Sequence, residues 1–216
     1  MLTDNVENIC NEFDERMSLA NSILNGLQEG TFEWKNAFDE RCKILDLLDR
    51  DVKDFFFQNS RFIDVKNGRR ISDMVYFCAV EESGVNDCYF QLYDWFSQYE
   101  EMLMKCFKIT GRSKHDMCVT KAKIIPQDVL DSFDQRISNG ESYDKVTKEF
   151  EDFVYYNSRF DALWYGWDLH YAVVDRVYED VFNIMDRREF CSLYNTYESL
   201  VLNALKMAGV LKIRIY

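Results

Sequence analysis

The chain has 216 residues, 47% hydrophobic and 30% charged, which fits one sizeable domain or two small ones and excludes a disordered chain. A single proline, Pro126, and only eight glycines exclude a sandwich or barrel, which needs turn residues at short intervals, and point to long helices. The net charge of −12 disfavours direct binding to nucleic acid or to an anionic membrane and suits a protein partner with a basic surface.

The first element is predicted from Val6, Cys10, Phe13, Met17, Ala20, Leu24 and Leu27, which recur in steps of four and three and draw one apolar stripe along a helix. Asp4 with Glu7 has capping-box spacing, and Gly30 follows the expected end. Met1–Glu15 carries five acidic residues with neither a basic flank nor an apolar run, so no export signal is expected. A second helix is read from Trp34, Phe38, Cys42, Leu45, Leu48, Val52 and Phe55. A break follows at Asn59-Ser60. Ser72 is then the expected N-cap of a helix running to about Glu82.

Gly84–Asp87 reads as a turn, and Leu92, Phe96, Tyr99, Leu103 and Cys106 mark a long helix that closes near Gly111. Cys118–Ile125 alternates and is β-branched, which suggests a short strand. Pro126 opens the next helix, Asn139-Gly140 closes it, and Ser142 caps its successor. Helical pattern continues to Gly209, and Val210–Tyr216 alternates again. No stretch reaches the roughly 18 apolar residues of a membrane span. The seven cysteines (Cys10, Cys42, Cys78, Cys88, Cys106, Cys118 and Cys191) are odd in number and include no CxxC pair, so reduced thiols in a cytoplasmic compartment are expected.

Two windows repeat at a fixed offset of 98 residues. Asp54–Phe62 (DFFFQNSRF) matches Asp152–Phe160 (DFVYYNSRF), and Tyr99–Gly111 matches Tyr197–Gly209 with Tyr, Glu, Lys and Gly retained. Phe38-Asp-Glu-Arg41 matches Phe133-Asp-Gln-Arg136 if three residues, Asn139–Glu141, are extra in the second copy. The expected fold is therefore all-α. It is a helical bundle made by tandem duplication of a three-helix unit, preceded by an additional helix, with room for a minor two-stranded β pairing between the tails. The predicted divisions are 1–30 for the N-terminal amphipathic helix, 31–125 for the first repeat with a basic joint at 105–125, and 126–216 for the second repeat.

Candidate binding residues follow from this layout. The repeated Asn-Ser-Arg-Phe motif offers Arg61 and Arg159 as grips for an anion or carboxylate, against a simpler role at a helix break. Carboxylates at helical spacing, Glu12 with Glu15 and Asp46 with Asp49, have a form that holds magnesium, although 38 acidic residues generate such pairs by chance. From Lys105 to Ile125 six basic residues face one acidic residue, a segment near +5 that leaves the rest near −17. Lys114, Lys121 and Lys123 there form a candidate basic contact. His115 and His170 lack ligand-spaced partners, and the Trp164–Trp167 cluster reads as core or interface.

No catalytic residue, metal ligand or cofactor is predicted. The expected function is a non-enzymatic protein-binding or regulatory protein that uses acidic helical surfaces, for example an inhibitor or immunity-type protein masking a basic nucleic-acid-binding surface. The alternatives are a metal-dependent all-α nucleotide or phosphate hydrolase, and an assembly subunit. The latter would form homo-oligomers through its first helix or through Leu211–Tyr216.

Overall fold

The structure, a computed structural model, describes residues 2–83, 88–111, 118–119, 126–160, 166–181, 186–210 and 214–215. Over these residues the chain is an all-α helical bundle: α1 (Leu2–Ser22), α2 (Phe32–Gln58), α3 (Gly68–Ser83), α4 (Tyr89–Thr110), α5 (Gln127–Ser138), α6 (Tyr143–Asn157), α7 (Gly166–Val181) and α8 (Arg187–Met207). Cys118–Val119 (β1) and Arg214–Ile215 (β2) form a two-residue parallel pairing, with Cys118 opposite Arg214 and Val119 opposite Ile215. The chain divides into two compact units, Met1–Glu101 and Met102–Tyr216. None of the helices is long and apolar enough to cross a membrane among the described residues.

Local sequence explains most helix ends. The Thr31 hydroxyl accepts the Trp34 N–H and starts α2, while Asp186 accepts from the Arg188 and Glu189 N–H groups and starts α8. Pro126 is the N-cap of α5, and Asn139 with Gly140 (φ 90°) ends that helix in the left-handed turn that glycine tolerates. Two expected ends move. α1 stops at Ser22, short of Leu24 and Leu27, and it begins at Leu2, so Asp4 lies inside it. α3 begins at Gly68, which makes Ser72 a buried mid-helix residue instead of an N-cap. The reason is a close approach: a Cβ on Gly68 would lie 1.8 Å from the Phe62 carbonyl oxygen, so only glycine lets the helix start there.

In the first unit Phe56 is the centre of the core. Its ring meets Tyr76, Tyr93 and Phe96 at 5.5, 5.2 and 5.0 Å, and Leu48 and Val52 continue the same buried stripe along α2. Each such side chain contributes about 1.5–3 kcal/mol when fully buried. In the second unit Phe150 plays the central part, 5.4 Å from Phe133 and 5.5 Å from Phe190.

Among the described residues four helices begin in each half of the chain, and several of their contacts correspond. α3 and α7 start 98 residues apart, at Gly68 and Gly166, and α4 and α8 at Tyr89 and Arg187. α1 and α5 make matching contacts. Phe13 meets Phe55 at 5.8 Å, and Phe133 meets Phe153 at 5.6 Å. Arg16 Nη2 lies 2.8 Å from Asp51, and Arg136 Nη2 lies 2.7 Å from Glu149. Asp14 accepts the Tyr89 N–H at 2.9 Å, and Asp134 pairs with the Arg187 guanidinium. Phe133-Asp-Gln-Arg136 thus makes contacts in the second unit that match those of Phe13-Asp-Glu-Arg16 in the first. The same four letters occur in both α1 and α2, and only the packing separates them.

Candidate functional site

The repeated Asn-Ser-Arg-Phe motif builds a buried clasp in each unit. Asn59 and Asn157 end their helices by donating from Nδ2 to the carbonyls of Phe55 and Phe153, at 2.8 and 2.7 Å. The next residue, Ser60 or Ser158, donates its hydroxyl to a buried carboxylate forty residues on, Glu100 or Glu198. That same serine oxygen accepts the N–H of Phe62 or Phe160 at 3.0 and 3.1 Å. The backbone N–H of Arg61 or Arg159 completes the carboxylate's shell at 3.1 Å. A buried carboxylate survives only when hydrogen-bonded, and here every donor comes from one turn of chain. Glu100 and Glu198 are 2% and 1% exposed. Burial pushes the Glu100 carboxyl above the usual carboxylate range, while the bonds from Ser60 and Arg61 pull it back.

The two arginines then differ. Arg159 turns onto its own clasp: Nε lies 2.9 Å from Glu198, and Nη2 donates to the Asn195 carbonyl and the Ser199 hydroxyl at 2.7 and 2.8 Å. Arg61 is exposed, and its guanidinium lies 4.0 Å from Glu101. The carboxylate that Arg159 grips is internal, and its motif works here as a tie between a helix end and α8.

The second unit extends the clasp into a longer polar chain. The Ser158 hydroxyl is also 3.2 Å from the Tyr194 hydroxyl, which sits 2.8 Å from His170 Nδ1. Burial holds His170 neutral by lowering its pKa to about 3. The corresponding residues of the first unit, 98 positions earlier, are Ser72 and Phe96, both buried, so there the chain stops at the serine.

The α1–α2 hairpin is the other distinctive feature. Phe13 and Phe55 lie 42 residues apart, whereas Phe133 and Phe153 lie 20 apart, so residues 19–44 form an arm where the second unit has the four-residue turn Asn139–Ser142. The apolar stripe of α2 runs through this arm as Trp34, Phe38, Cys42 and Leu45, with Trp34 stacked on Phe38 at 5.1 Å. Its coverage changes midway: Leu48, Val52 and Phe56 are buried, but Trp34, Cys42 and Leu45 are half-buried and Phe38 is exposed. Leu19 and Phe32, also in the arm, are 61% and 76% exposed. Arg41 donates to Asn21 at 3.1 Å and ties the two helices of the hairpin together.

Of the remaining predicted residues, Asp46 and Asp49 are both exposed on α2, and Asp49 accepts from Lys53 at 2.7 Å. No group of three or more His, Cys, Asp or Glu side chains among the described residues is arranged to hold a metal ion. Lys114, Lys121, Lys123, His115, the Gly84–Asp87 turn, Trp164 and most of both predicted strands lie outside the described residues. Glu100 and Glu198 went unassigned in the sequence, although the glutamate is one of four residues retained between the second pair of windows. No protein-family model, characterised protein or solved structure matches this chain.

Proposed function

We propose that this chain is a non-enzymatic protein-binding regulatory protein that engages a basic partner surface through the acidic faces of α1 and α2. Its concrete form is an inhibitor or immunity-type protein that covers a basic, nucleic-acid-binding surface. One observation carries the reading: residues 1–54 hold 13 acidic and six basic side chains, and Glu12, Glu15, Glu33, Asp39, Glu40 and Asp46 on the two helices are exposed. A like-charged field of this kind steers a basic partner and repels nucleic acid. The basic side chains nearby are partly spent inside the hairpin, as Arg16 on Asp51 and Arg41 on Asn21. Cys10, Cys42, Cys78, Cys88, Cys106 and Cys191 are free thiols, which supports a reducing, cytoplasmic setting.

The scaffold beneath this surface is read as a tandem duplication of a four-helix unit, supported by the equivalent clasps and hairpin contacts. The test is the salt dependence of binding to a partner purified from the native source. Affinity falls by at least about tenfold between 50 and 500 mM salt, and the triple change Glu33→Gln, Asp39→Asn, Glu40→Gln slows association. Binding that is indifferent to both salt and these changes overturns the electrostatic reading.

A further inference from the structure

We infer that Asn25, in the turn between α1 and α2, is a modification site. In the folded chain its side-chain amide is lost to the backbone nitrogen of Gly26, which converts it to aspartate and isoaspartate ahead of the other Asn-Gly pairs. Asparagine followed by glycine is prone to this reaction because no Cβ hinders the approach of the glycine nitrogen. The chain has three such pairs, Asn25-Gly26, Asn67-Gly68 and Asn139-Gly140, and all three asparagines are exposed. Dipeptide identity therefore does not rank them, and the backbone does.

The attacking nitrogen must give up its proton and any hydrogen bond it donates, so a bonded amide reacts only after local opening. The Gly68 N–H donates to the Val65 carbonyl at 2.7 Å, and Gly68 is buried against the Phe62 carbonyl. The Gly140 N–H donates to Ile137 at 2.9 Å, with Asn139 held on Gln135 at 2.9 Å and Glu141 on Arg136 at 3.0 Å. Gly26 differs from both. Its neighbours are held, Asn25 on Ser22 at 3.0 Å and Leu27 on Leu24 at 3.2 Å, but its own N–H donates no hydrogen bond among the described residues. Gly26 is exposed, and beyond its chain neighbours nothing lies within 4 Å of the place a Cβ would take. Gly140 has equal room, so the hydrogen bond separates those two.

The chemistry needs only water. The deprotonated Gly26 nitrogen attacks Asn25 Cγ, the new N–Cγ bond forms and the Cγ–Nδ2 bond breaks. Nδ2 leaves as ammonia, taking up the proton that the Gly26 nitrogen gave up. Water then opens the cyclic imide, at the side-chain carbonyl to give aspartate or at the backbone carbonyl to give isoaspartate. Either product adds one negative charge to the net −12, within the acidic hairpin, and isoaspartate also lengthens the turn by one methylene.

The test ages the full chain at neutral pH and body temperature, folded and in concentrated urea, and follows each asparagine by peptide mapping with fragmentation. Methylation by an isoaspartyl methyltransferase reads the isoaspartate independently. In the folded chain Asn25 converts at least about tenfold faster than Asn67 and Asn139, because only those two wait for local opening. In urea the three rates converge to within a few-fold, since the dipeptides are the same. Asn25→Gln removes the main site of methylation and leaves the helical circular dichroism signal unchanged. Conversion of Asn67 or Asn139 in the folded chain at a rate equal to that of Asn25 overturns the assignment. So does an Asn25 that stays intact in the folded chain over a period in which it converts in urea.

Discussion

The two units meet the same packing problem with one device and finish it differently. In both, a helix ends at Asn, the next serine reaches a buried glutamate forty residues on, and the following N–H closes the shell. In the first unit Arg61 is exposed, and its guanidinium lies 4.0 Å from Glu101. In the second, Arg159 binds Glu198 directly, and Tyr194 and His170 lengthen the polar chain. The lesson is that the serine–glutamate bond is the shared structural element and the polar extension is local to one unit. The first unit spends its difference elsewhere, on the arm.

The largest expected effect separates the two clasps. Glu198→Ala breaks a buried ion pair and strands several donors, and is expected to cost about 3–5 kcal/mol. Glu100→Ala removes an acceptor from the Ser60 hydroxyl and the Arg61 N–H, and is expected to cost about 2–3 kcal/mol. Urea unfolding of both variants measures the difference, and a larger loss at Glu100 breaks the comparison. Tyr194→Phe installs the residue that the first unit has at that position. It removes a hydroxyl bonded to both Ser158 and His170 and is expected to cost about 1–2 kcal/mol.

His170 supplies a smaller, pH-dependent signature. Its folded pKa, about 3, is below the ordinary value of 6.5, so the unfolded chain binds the extra proton between those limits. The stability that His170 retains above pH 6.5 is therefore lost as pH falls toward 3, at up to about 1.4 kcal/mol per pH unit. His170→Ser, the residue of the first unit, flattens this slope. Unfolding free energies at pH 7, 6 and 5 for both proteins check it, and an identical slope contradicts a buried neutral imidazole.

Much of this architecture was legible in the sequence. The three-and-four stripes locate α1, α2 and α4, because burying one face of a helix imposes that period. The helix after Pro126 and its end at Asn139-Gly140 follow from backbone chemistry at single residues. The start of α3 was not legible, since it depends on a contact between Gly68 and the Phe62 carbonyl rather than on a capping side chain. The clasp was half legible. Repetition singled out Asn-Ser-Arg-Phe and the retained glutamate separately, but nothing in a linear pattern pairs Ser60 with Glu100 across forty residues. The likeness of α1 to α5 was hidden by a coincidence: Phe-Asp-Glu-Arg occurs at 13–16 and at 38–41, and only the packing shows that Arg16 on Asp51 resembles Arg136 on Glu149.

The arm gives the most direct measurement. If both units share one four-helix frame and the arm is an addition to it, a chain in which residues 19–44 are replaced by the turn Asn139–Ser142 keeps that frame. Its thermal unfolding, followed by circular dichroism, is expected to remain cooperative with a midpoint within about 5 °C of the intact chain. Loss of cooperative unfolding, or a fall in the midpoint far beyond that range, contradicts the shared frame.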